Sequence, residues 1–159
     1  MTPQSAEEVE LARCAGAFVA GHQAVLDEME HPGFVPVQLR DELRELGWLG
    51  VAEPSEGLSV TNARLLAHLI HSIARVSPAL GALLLSHHFA RALILEASNP
   101  PPGEPWLATA GYDGLDGCGW ELTLGDDVRG TARLILGGAV AESFVLVARE
   151  ADTTPVLLL

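Results

Sequence analysis

Apolar residues recur at helical spacing through roughly the first hundred positions and in short alternating or continuous runs after that. Residues 5–30, SAEEVELARCAGAFVAGHQAVLDEME, open with a Ser cap and an acidic first turn, then set Val9, Leu11, Ala15, Phe18, Val19, Val25 and Leu26 on one broad stripe. This pattern predicts a first helix, ended by His31, Pro32 and Gly33. Pro36 starts a second, PVQLRDELRELGW, in which Val37, Leu39, Leu43 and Leu46 recur near the helical period and Gly47 supplies the C-cap. Beyond the turn-rich AEPSEGLS, the segments TNARLLAHLIHSIARVS at 61–77 and PALGALLLSHHFARALILEA at 78–97 predict a third and a fourth helix.

The run NPPPGEP at 99–105 then breaks regular structure, because consecutive prolines remove backbone donors and hold the chain extended. The remainder of the chain is different in kind. WLATAG, GWELTLG, ARLILGG, SFVLVARE and PVLLL are strand-like runs divided by Gly-Asp and Gly-Gly turn signals. The expected fold is α+β: a bundle of about four helices in 1–98, a proline-rich crossing at 99–105, and a partial antiparallel β-domain in 106–159. The last run reaches Leu159 inside an apolar strand, an edge that is an aggregation hazard if left free. Cover by another chain, or a longer natural product, is the expectation.

Composition narrows the function classes. With 159 residues the chain has length enough for a sizeable core, and 48% apolar against 19% charged residues argues against disorder. A net charge of -12, with nine Arg scattered singly and no Lys, gives no basic patch for a nucleic acid. The opening MTPQSAEEVE lacks the basic and apolar regions of a secretory signal, so a cytoplasmic location is expected. Residues 78–97 are apolar enough to consider as a membrane span, but His87, His88 and Arg91 sit near the middle, where a bilayer would penalise them; a buried helix is the reading.

Candidate metal chemistry is thin. Cys14 and Cys118 lack CxxC spacing, and His68, His71, His87 and His88 have no Cys or carboxylate at ligand spacing, so these read as core or surface residues and no metal is expected. The acid pairs Glu7-Glu8, Asp27-Glu28 and Asp126-Asp127 stand at helix ends or in a turn, which helix-dipole and turn chemistry explain.

Two longer words carry a resemblance. LRDELRELGWLGVAEPSEGLSV is similar to the helix, Gly-Trp-Leu-Gly and Pro/Glu/Gly loop of the acyl-CoA dehydrogenase family, and in ARLILGGAVAESFVLVARE the residues Ile135, Gly138, Ala141 and Ala148 fit that family's strand pair. The stretch TAGYDGLD resembles its flavin and CoA loop. Thr109, Gly114 and Asp116 are kept, while Ala110, Gly111 and Leu115 replace the family's Glu, Pro and Ser. Leu134, Ile135 and Leu136 stand where the family places an aromatic, an Ile and a hydroxyl residue beside the flavin ring.

The resemblance implies FAD as cofactor, an acyl-CoA as ligand, and flavin-dependent α,β-desaturation of acyl thioesters as the ancestral oxidoreductase chemistry of lipid metabolism. The implied flavin contacts are Thr109, Gly114, Leu134, Ile135 and Leu136. It covers only the first half of a family member. The catalytic Glu belongs to a C-terminal bundle with no counterpart here, so no residue inherits the role of base. The chain is therefore expected to act as a supporting subunit or fragment, incomplete alone, in a homo-oligomer or a complex with a complete acyl-CoA dehydrogenase-like subunit, without nucleic acid or membrane. The alternative is a non-enzymatic helical interaction module.

Overall fold

A computed structural model describes residues 5–29, 31, 37–51, 60–96, 107–110, 122–124, 126–131, 141, 143–150 and 155–158. Helices come first and strands after, as α+β composition requires: α1 (Ala6–Gly21), α2 (Gln23–Met29), α3 (Val37–Glu45), α4 (Val60–Ala74) and α5 (Pro78–Glu96), then β1 (Ala108–Ala110), β2 (Leu122–Leu124), β3 (Val128–Gly130), β4 (Ser143–Glu150) and β5 (Pro155–Leu158). The crossing at 99–105 and the strand expected over ARLILGG lie outside the described residues.

The expected first helix is two helices. At His22 the backbone leaves helical geometry (φ -118°, ψ 15°), its N–H is shared between the Phe18 and Val19 carbonyls, and its ring Nδ1 lies 2.8 Å from the Phe18 oxygen. A side chain competing for the terminal carbonyls after Gly21 ends α1, and a new helix begins at once. The start of α1 is a full capping box: Ser5 Oγ accepts from the Glu8 N–H, and Glu8 accepts from the Ser5 N–H at 2.7 Å.

The stop of α3 follows the expectation for Gly47. Its φ is +70°, its N–H donates to the Arg44 carbonyl, and the Trp48 N–H reaches back to Leu43, the paired bonds of a Schellman end. Leu43 and Trp48 are both buried, which adds the apolar contact that accompanies this motif. The start of α5 is equally local: Ser77 Oγ accepts from the Leu80 N–H, and Pro78 takes the first helical position.

α1 packs on α4, α4 on α5, and α5 on β1 and β4. The main core gathers Phe18, Leu43, Trp48, Leu69, Leu84 and Leu107 among others, while Ala90, Ile94 and Val145 form a second cluster where the far half of α5 meets the sheet. Between α4 and α5 the approach is close enough that a Cβ on Gly81 would lie 2.6 Å from the Ala74 Cβ. Two residues of the expected apolar stripes face outward instead: Val9 is 54% exposed and Leu46 48%. At the start of α1 it is Glu8 that turns inward.

The sheet is mixed. Antiparallel pairing holds for the sequence-adjacent strands β2–β3, around the Gly-Asp-Asp turn, and β4–β5. The central strand β4 also pairs in parallel with β1, Thr109 opposite Phe144, and with β2, Thr123 opposite Arg149. Turn signals specify neighbouring strands in antiparallel hairpins, whereas a parallel pairing needs a long crossover and leaves no local mark. The terminal run PVLLL supplies β5, which pairs with β4.

Candidate functional site

α5 is long and apolar enough to cross a membrane, yet a run of polar side chains, Ser86, His87, His88 and Arg91, is buried within the fold. Buried polar groups need partners, and the neighbours of α5 supply them. Ser86 Oγ lies 2.7 Å from Thr109 Oγ1 on β1, a hydroxyl pair sealed between helix and sheet. His87 Nε2 lies 2.8 Å from the Leu49 carbonyl and His88 Nε2 3.0 Å from the Trp48 carbonyl. Each ring is the only donor in its pair, so both histidines carry the proton on Nε2.

Successive histidines point to different faces of a helix, and here the difference is used to reach successive carbonyls of the turn after α3. The rings meet edge to face, with centroids 5.2 Å apart. His88 Nδ1 is buried and has no hydrogen-bond partner among the described residues. Desolvation, reinforced by the neighbouring His87, pushes the His88 pKa down from its ordinary 6.5 to about 4, against the opposing bond to Trp48. The ring is neutral at pH 7 and fastens the turn to α5. That turn carries Trp48 and Leu49, both core residues.

Of the positions implied for flavin contact, Gly114, Leu134, Ile135 and Leu136 lie outside the described residues. Thr109 lies within them, fully buried, with its hydroxyl turned to Ser86. In this arrangement the side chain joins helix to sheet, in a pair in which either hydroxyl can be the donor. Its backbone belongs to the β1–β4 ladder. Among the described residues no group of three or more His, Cys, Asp or Glu could hold a metal.

Sequence reasoning treats Glu8 as a helix-end acid and misses its second role. Glu8 is 3% exposed and sits 2.8 Å from Arg64 on α4, with His68 Nε2 at 3.7 Å from the same oxygen. It caps its own helix and ties it to α4. The only signal in the sequence is the capping box itself, which places the carboxylate but not the partner. Ser86 is similarly silent, a small hydroxyl inside an apolar run.

A second feature is an open cleft of about 800 Å³ between α1, α4 and the turn after α3. Its floor is apolar, with Leu11, Trp48, Val51 and Leu65, and α1 sets Glu7, Glu10 and Cys14 along one side. Glu10 is held by Arg13 in two hydrogen bonds of 2.8 and 2.6 Å. No family model, curated protein or solved structure matches the chain.

Proposed function

We propose that this chain is a supporting, non-catalytic member of an acyl-CoA dehydrogenase-like lineage, working through association rather than through a flavin of its own. The observation that carries the reading is the buried Ser86–Thr109 pair, which takes the one described flavin-loop hydroxyl into the helix–sheet seam. A Thr so used keeps its place in the sequence while its hydroxyl serves stability. Leu85 on α5, 54% exposed, adds an outward apolar side chain of the kind found where subunits meet. That side chain is also what favours the second reading, a helical interaction module with no enzyme lineage.

Flavin titration decides between them and a working flavoprotein. The purified chain is expected to be colourless and to gain no thermal stability from added FAD, since a ligand that does not bind the native state leaves its melting point unmoved. Yellow protein with stoichiometric flavin would overturn the proposal. Raised stability or activity of a complete acyl-CoA dehydrogenase-like subunit on mixing supports the lineage over the simple module.

A further inference from the structure

The cleft between α1, α4 and the turn after α3 has the size of a small-molecule site and the usual construction of one, an apolar floor with few polar groups at the side. Its polar side has one sign. Glu7 and Glu10 line it with no Arg or Lys among the lining residues, and the hydrogen bonds from Arg13 hold the Glu10 carboxyl down to about 2, so it stays ionised. Arg13 offsets the charge of Glu10; Glu7 has no ion pair or hydrogen bond among the described residues and lies exposed at the rim. The positive end of α1 is already met by its own capping box.

We propose that this cleft binds a small amphipathic molecule whose alkyl body lies on Leu11, Val51 and Leu65, which are part-exposed, and whose cationic head sits beside Glu7. Charge complementarity selects the head: the rim, on a chain of net charge -12, repels carboxylates and phosphates and attracts an ammonium. The inference is independent of the flavin reading and runs against an acyl-CoA as occupant, because that ligand is polyanionic.

The test uses the full chain with two probes of equal alkyl length, decyltrimethylammonium and decanoate, each below its micelle concentration and followed by calorimetry. The cationic probe is expected to bind at least about tenfold more tightly, and Glu7→Gln to weaken it by about fivefold, the scale of one exposed charge contact. Ala6→Trp, at an exposed position on the cleft wall, is expected to abolish binding without touching the core. In a Cys118→Ser background, bound probe should slow maleimide labelling of Cys14, which fixes the location. Equal or tighter binding of decanoate, binding of neither probe, or unchanged binding in Ala6→Trp overturns the proposal.

Discussion

Lowering the pH should destabilise this protein through His88 in a window set by its burial. Its pKa in the fold is about 4, against 6.5 when the ring is free in water. Between those values the unfolded chain takes up a proton that the native chain does not, so native stability is intact above about pH 7 and falls as pH drops through the window. At about 1.4 kcal/mol per pH unit, the loss is about 1.4 kcal/mol by pH 5.5 and about 2.6 kcal/mol by pH 4.5, levelling at about 3.4 kcal/mol well below pH 4. The ring is only 4% exposed, so solvent screening takes little from this. The comparison is with His88→Gln, whose amide nitrogen reaches toward the Trp48 carbonyl as Nε2 does but does not titrate. Urea unfolding at pH 7, 5.5 and 4.5 measures both proteins, and the difference between them cancels the carboxylates that titrate in the same range. A wild-type advantage at pH 7 that shrinks or reverses by about 2 kcal/mol at pH 4.5 is expected. Parallel profiles would refute the reasoning, since they would mean that His88 takes up its proton equally in the native and unfolded states.

The packing sets three further outcomes. Gly81→Ala, which in an open helix would stabilise by about 1 kcal/mol, should instead cost about 1–3 kcal/mol because its Cβ would meet Ala74 at 2.6 Å; adding Ala74→Gly should relieve most of the penalty in thermal melts. Glu8→Ala should cost about 1–2 kcal/mol in chemical denaturation, through the lost half of the capping box and an ion pair whose Arg64 partner is 42% exposed and can turn to solvent. Ser86→Ala and Thr109→Val should each cost about 1–3 kcal/mol, while the double variant should cost less than their sum, because the two share one hydrogen bond.

Much of the helical half was legible because its signals are local. The Ser5 capping box, Gly47 after α3 and Ser77-Pro78 before α5 each act within a turn or two of their own position, and each is found doing so. The split at His22 was hidden because apolar periodicity continues across it; the break comes from one imidazole and one N–H competing for terminal carbonyls. The inward turn of Glu8 and the outward turn of Val9 were hidden for another reason. Periodicity ranks a carboxylate as a surface residue, and only the arrival of Arg64 from another helix reverses the ranking.

The same limit governs the candidate site. Thr109 sits in a word that resembles a flavin loop, and a word records which side chain is present without recording what it faces. Its hydroxyl finds Ser86, separated by 23 positions and carried on a helix whose apolar composition gives no hint of a polar seam. His87 and His88 reach carbonyls 38 and 40 positions away. Each of these bonds depends on α5 lying between the turn after α3 and β1, so the buried polar groups serve the docking of three elements on one helix. A helix so occupied on its buried sides turns Leu85, 54% exposed, outward. Substitution of Leu85 by a polar residue should therefore leave stability nearly unchanged, whereas each substitution in the seam should lower it by the amounts given above whether or not a partner is present.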